Sequence, residues 1–153
     1  MPDVQIRAAS SEDPDFVKLV GMLDHYLAQI NGEEHGFYSQ HNKSDSLTSA
    51  VVAYWDDEPV GCGGTRRIDD EAVEVKRMFV RPDVRRTGAA RAILVALERG
   101  ADESGYRIAR LETSKRMVPA VNLYASSGYS VIPNYGPYVG VEDSVCMEKS
   151  LAD

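Results

Sequence analysis

Residues 80 to 94, VRPDVRRTGAARAIL, set Arg81, Arg85 and Arg86 beside Thr87, Gly88, Ala89 and Ala90, which have little or no side chain. Small residues let another molecule approach the main chain, and an apolar helical pattern starts at this point. The first amides of a helix lack partners within it, and the helix dipole favours negative charge there. Arginines beside such a start add attraction for a phosphate. The chemistry on offer is anion binding. Neither G-x-x-x-x-G-K-[ST] nor G-x-G-x-x-G occurs, so no P-loop or dinucleotide fingerprint is present. Taken alone, a strand, a turn with one glycine and a helix serve packing as readily as binding. His25, His35 and His41 lack metal-ligand spacing, and no metal is expected.

The elements that must hold this turn follow from periodicity. Val73 to Val80 reads as a strand that stops at Arg81-Pro82, because proline donates nothing to a ladder and biases its predecessor to an extended form. From Gly88, residues Ala90, Ile93, Leu94, Leu97 and Ala101 share one helical face, and Gly105 ends the helix. Upstream, Val4 to Arg7 suggests a short strand, and Ser11 or Asp13 can cap a helix running through Phe16, Leu19, Leu23 and Leu27 to Ile30. Residues 31 to 45 are polar and irregular. Leu47 to Trp55 and Pro59 to Ile68 form a hairpin pattern around the acidic turn at 56–58. Tyr106 to Thr113 is another strand, and Pro119 to Ser127 a short helix stopped by Gly128. Tyr129 to Ile132 and Ser144 to Lys149 are extended pieces around a loop rich in proline, glycine and tyrosine. The order β-α-β-β-β-α-β-α-β-β predicts an α/β fold whose hairpins make the sheet mixed.

Composition narrows the function. The chain has 153 residues, 43% hydrophobic and 27% charged, enough for one domain with a real core. A net charge of −7 argues against a protein built to grasp nucleic acid, and it makes the local arginine cluster stand out. No apolar run is long enough to span a membrane, and MPDVQIRAAS lacks the basic-then-apolar layout of a secretory signal. The expectation is a cytoplasmic protein in which Cys62 and Cys146 are buried thiols.

Two segments at fixed spacing resemble the GNAT family of N-acetyltransferases. Arg85 to Ala90, after Val80-Arg81-Pro82, is similar to its R/Q-x-x-G-x-G/A signature. AVNLYASSGY (120–129) is similar to its A-x-x-L-Y-x-x-x-G-F/Y segment, and EVKRMFV (74–80) extends the likeness upstream. LETS (111–114) and SVCMEKSL (144–151) look like a bacterial subgroup with small or unassigned substrates. The likeness covers residues 58 to 151 well and the first third in outline. Arg86 and Ala90 stand where relatives more commonly have glycine.

The resemblance implies one domain over residues 1–153 with the GNAT fold. That is a mixed, mostly antiparallel central sheet, splayed at the cofactor site by a bulge in the strand before the signature turn, with helices on both faces. It implies acetyl-CoA as co-substrate, with its pyrophosphate on the turn Arg85, Arg86, Thr87, Gly88, Ala89 and Ala90. The pantetheine arm would run along the main chain of Met78, Phe79 and Val80. Met117 replaces a frequent Asn or Gln seven residues before Tyr124, so Asn122 is the candidate to supply that contact. Tyr124 would protonate the leaving thiolate, or else only pack on the cofactor. Glu74 is the first candidate base, or a cross-strand partner of Lys76. Glu112 is the second, and a water relay without a dedicated base is a third arrangement. His35, His41, Tyr135 and Tyr138 fall in segments that border the acceptor in relatives; for the tyrosine loop a dimer contact fits equally.

The activity so implied is acetyl-CoA-dependent N-acetylation by direct attack of an amine, a small molecule or a peptide, on the thioester. The alternative is an acyl-CoA-binding regulatory module with little or no turnover. No nucleic acid or membrane partner is expected, and a homodimer would use the C-terminal strands.

Overall fold

The structure, a computed structural model, describes residues 4–31, 47–85 and 87–151. Its strands are β1 (Gln5–Ala9), β2 (Ser49–Trp55), β3 (Glu58–Arg67), β4 (Ala72–Val80), β5 (Ile108–Ser114), β6 (Ser130–Ile132) and β7 (Ser144–Ser150). Its α-helices are α1 (Pro14–Asn31), α2 (Ala89–Glu103) and α3 (Val118–Ser126). The strands form one sheet in the order β1-β2-β3-β4-β5-β7-β6. Only the β4–β5 pair is parallel.

Local chemistry explains the boundaries. The Asp13 carboxylate accepts the amide of Asp15 at 2.9 Å and caps α1. Asp56 and Asp57, with φ of 51° and 62°, make the left-handed turn that a right-twisted hairpin requires. Gly105 and Gly128, also left-handed, end α2 and α3. Two one-turn 3-10 segments, Pro82–Val84 and Gly136–Tyr138, were not evident from periodicity. Each is too short to carry a period and starts where proline tightens the chain.

Helices cover both faces of the sheet. α1 lays Phe16, Leu19 and Leu23 against Val52, Cys62 and Phe79. On the other face α2 buries Ile93, Leu94 and Leu97 against Val60, Val73 and Val75, each such side chain contributing about 1.5–3 kcal/mol. Three glycines in β3 let α2 and the neighbouring chain come close. A Cβ on Gly61 or Gly63 would lie 2.9 Å or 2.8 Å from Ile93, and one on Gly64 would lie 2.8 Å from Leu47. The approach of α2 to β3 sets where its N-terminus stands.

Candidate active site

The turn expected to bind an anion is open. Gly88 precedes α2 with φ 86° and ψ 4°, and no side chain caps the helix there. A Cβ on Gly88 would meet nothing within 4 Å, so glycine is needed for its backbone angle and not for space. The Thr87 hydroxyl donates to the Val84 carbonyl at 2.8 Å and accepts the Ala89 amide at 3.4 Å, which closes the turn. Arg85, Gly88, Ala89, Ala90 and Val80 border a recess of about 220 Å³. The arginines divide by role. Arg81 pairs with Glu58 at 3.0 Å and Asp83 at 2.6 Å, Arg91 reaches Ser126 at 2.8 Å, and Arg85 lies 5.5 Å from the centre of the Tyr26 ring. Arg86, His35 and His41 lie outside the described residues.

Next to this recess the sheet parts. β4 and β5 pair only from Ala72–Ile108 to Glu74–Arg110, although both strands continue. On its other side β4 carries a bulge: Cys62 faces Phe79 and Gly64 faces Lys76, leaving one residue too many on β4. Arg77 takes the left-handed conformation there, with φ 62°. That strain, about 1–3 kcal/mol for a non-glycine residue, is held by Asp24 of α1, 2.9 Å from the Arg77 guanidinium. The Cys62 thiol also donates to the Arg77 carbonyl at 3.3 Å.

The gap holds a cleft of about 110 Å³ bordered by Glu74, Lys76, Met78, Glu112, Tyr124 and Tyr138. Tyr124 enters from α3 and is 6% exposed. Its hydroxyl finds no hydrogen-bond partner among the described residues. Burial, and next the charge of Glu112, push its pKa up and keep the phenol protonated.

The two carboxylates differ. Glu74 is 1% exposed and both oxygens are taken. One accepts Arg66 at 2.8 Å and has Lys76 at 3.7 Å; the other accepts the Tyr135 hydroxyl at 2.7 Å. Lys76 also donates to the Tyr138 hydroxyl at 3.4 Å, and burial lowers its pKa. Glu112 is half-buried and accepts the Ser144 hydroxyl. Burial raises its pKa to about 7; the Ser144 contact and Lys76 resist that rise, while Glu74 and Asp143 add to it. A carboxylate in that range can take a proton at neutral pH and give it up again.

Most of the expected cofactor residues gather here. Met78 borders the cleft and Val80 the recess, whereas Phe79 borders neither and its side chain belongs to the α1-side core. Asn122 is exposed on α3 and borders neither cavity. The resemblance implied a bulge in this strand, but sequence reasoning did not place it at Arg77, nor did it find the Asp24 contact or Ser144. An arginine gives no hint of a left-handed angle, and a strand-end serine looks like any other. The tyrosine-rich loop did carry a signal, and its Tyr135 and Tyr138 meet the β4 charges. Among the described residues no group of three or more His, Cys, Asp or Glu side chains is placed to hold a metal. No described helix is long and apolar enough to cross a membrane, and Cys62 and Cys146 are buried free thiols.

Comparison with known proteins agrees with this geometry. The family model described as the acetyltransferase (GNAT) family matches residues 14–129. An IAA acetyltransferase of Azospirillum brasilense is 32% identical over 154 residues, covering 99% of this chain and 100% of the relative. A crystal structure assigned to the acyl-CoA N-acyltransferases, from Klebsiella pneumoniae, superposes with a TM-score of 0.82 at 26% identity, over 97% of this chain and 98% of that one. A GNAT acetyltransferase from Elizabethkingia anophelis with acetyl-CoA bound gives 0.69 at 15% identity over 98% and 99%. A sheet parted beside an uncapped helix start, with this breadth of likeness, identifies the chain as an acyltransferase that belongs to the GNAT acetyltransferase family.

Proposed function

We propose that this protein moves an acetyl group from acetyl-CoA directly onto a primary amine, with Tyr124 as general acid and Glu112 as general base. One observation carries the reading: a buried tyrosine hydroxyl without a hydrogen-bond partner among the described residues and a carboxylate of pKa about 7 border the same gap in the sheet. Acetyl-CoA supplies the acetyl group as an activated thioester. The amides of the first turn of α2 beyond Ala89 and the Arg85 guanidinium suit its pyrophosphate, and the unpaired edge of β4 beyond Glu74 suits its amide-bearing arm.

The amine nitrogen forms a bond to the thioester carbon, the carbon–sulfur bond breaks, and the electron pair leaves on sulfur. Glu112 takes the proton that the nitrogen loses, and Tyr124 gives its proton to the thiolate. Burial makes the tyrosinate costly but raises the basicity of a thiolate in the same cleft too, so the transfer is balanced. Glu74 is the weaker choice for the base, because Arg66, Lys76 and Tyr135 already occupy its oxygens. It serves instead to hold Lys76 and the tyrosine loop at the cleft.

The test is release of CoA thiol over a panel of small and peptide amines, with IAA included because the Azospirillum relative bears its name. With the best amine, Tyr124→Phe is expected to lower kcat by about 10²–10⁴-fold, the usual reach of general acid catalysis. An unchanged rate removes Tyr124 from the acid role. Binding of CoA without thiol release from any amine would leave a binding module in place of an enzyme acting on amines. Turnover of IAA but of no amine would overturn the amine as acceptor.

A further inference from the structure

The β5–β7 ladder ends on two serines in register, Ser114 facing Ser144, with Glu112 facing Cys146 one step earlier on the same side. Both serines are buried, at 7% and 2% exposure, and both spend their hydroxyls on carboxylates. Ser144 donates to Glu112 Oε2 and Ser114 to Asp143 Oδ2. Asp143 also has the Arg116 guanidinium at 3.2 Å. Ser144 itself is fixed, because its amide donates to the Val141 carbonyl at 3.1 Å and its strand is paired on both sides.

We propose that Ser144 is a positioning residue for the transfer: its hydroxyl fixes the Glu112 carboxylate at the cleft and holds it ionised to receive the amine proton. The inference rests on Glu112 as the base. The groups facing Glu112 are Lys76 and Glu74 from β4, Tyr124 from α3, Tyr138 and Asp143 from the loop before β7 and Cys146 from β7. Of these, Lys76 favours the carboxylate through its charge, whereas Glu74 and Asp143 oppose it. Arg116 and Ser114 compensate Asp143 and so weaken its opposition. Ser144 is the direct hydrogen-bond donor to the carboxylate. A donor to the charged form favours that form, so removing it pushes the carboxyl toward protonation in a site where burial already pushes the same way.

The test uses the full chain carrying carbon-13 glutamate, with the Glu112 carboxyl signal assigned by its disappearance in Glu112→Gln. The Glu112 titration midpoint is expected to rise by about one pH unit in Ser144→Ala, a tenfold change in proton affinity, and to return toward the starting value in Ser144→Thr. An identical midpoint in the parent and Ser144→Ala overturns the proposal. If Ser144→Ala melts below the working temperature, Ser144→Cys, a weaker donor of similar size, takes its place with the same two outcomes. With a turned-over amine, the acid limb of kcat should rise in parallel and vanish in Glu112→Gln. A moved titration with an unmoved limb overturns the role in transfer and the base reading with it. An unmoved titration with a limb that still vanishes in Glu112→Gln overturns Ser144 alone.

Discussion

The recess and the cleft, proposed as the phosphate end and the transfer end of one site, are built in opposite ways. The proposed phosphate end is main chain and empty space: Gly88 at an uncapped helix start, small neighbours, and Arg85 beside the Tyr26 ring. The proposed transfer end is buried and half-buried side chains: Glu74, Lys76, Arg66, Tyr135, Tyr138 and Glu112, brought together from β3, β4, β5 and the loop before β7. A binding end made of backbone depends on conformation, and a reacting end made of charge depends on compensation. Substitutions at the two ends should therefore fail in different ways.

The largest loss of stability is expected where compensation breaks. Arg66→Met leaves Glu74, 1% exposed, with Lys76 at 3.7 Å and the Tyr135 hydroxyl but without its closest cation. Breaking a fully buried pair costs about 3–5 kcal/mol, and Arg66 is itself a third exposed, so the loss should reach about the lower end of that range. Arg81→Met removes an arginine whose carboxylate partners, Glu58 and Asp83, are mostly exposed, and should cost no more than about 1 kcal/mol. Urea unfolding of the two variants checks the contrast. Equal losses would mean that the buried network is no more than a surface ion pair in effect.

The same contrast governs what could be read from the sequence. The phosphate end lies within a dozen residues, and its small residues and helix start are both local, so its place in the fold was legible from the spacing alone. The strand and helix order was legible for the same reason, since each element carries its own period and its own glycine, proline or aspartate stop. The transfer end joins residues 66, 74, 112, 135, 138 and 144, and no local pattern ties them. Only the resemblance placed Glu74 and Glu112 near chemistry, and it ranked Glu74 first. Reversing that order needed the partners that occupy the Glu74 oxygens. The bulge in β4 was implied by the resemblance, but its seat at Arg77 was invisible for a different reason, because an arginine in a left-handed angle is held there by Asp24, far away in the chain.

A smaller effect is expected from conformation at the phosphate end. Gly88→Ala puts a Cβ where φ is 86°, which costs about 1–2 kcal/mol for an L residue although the space is open. The turn would relax to escape that cost, and on the proposed role of these amides KM for acetyl-CoA should rise with kcat little changed, since a contact made alike before and during reaction affects binding alone. Gly100→Ala, the same change inside α2 with no atom within 4 Å of its Cβ, should instead stabilise by about 0.5–1 kcal/mol. A thermal melt and a KM for each variant suffice. Two losses of the same sign would show that backbone angle is not what Gly88 supplies.

The smallest effect separates the two carboxylates by pH. The folded-state pKa of Glu112, about 7, stands above its ordinary value of 4.5. The folded protein therefore holds that proton more tightly than the unfolded chain. The stability this provides is complete below pH 4.5 and is lost as pH rises through 7. Glu112→Gln cannot titrate, so its melting temperature relative to the parent should be higher at pH 8 than at pH 5. Half-burial and solvent screening limit the difference to a few degrees, about what 1 kcal/mol gives in a domain of this size. Glu74→Gln should behave differently, falling below the parent at pH 8 because it leaves Arg66 and Lys76 without their carboxylate. A relative gain from pH 5 to pH 8 in Glu112→Gln beside a loss at pH 8 in Glu74→Gln would mark Glu112 as the carboxylate kept under strain for chemistry and Glu74 as the one kept for structure. Two variants that fall together at pH 8 would return both residues to the structural network and leave the amine proton to a water relay.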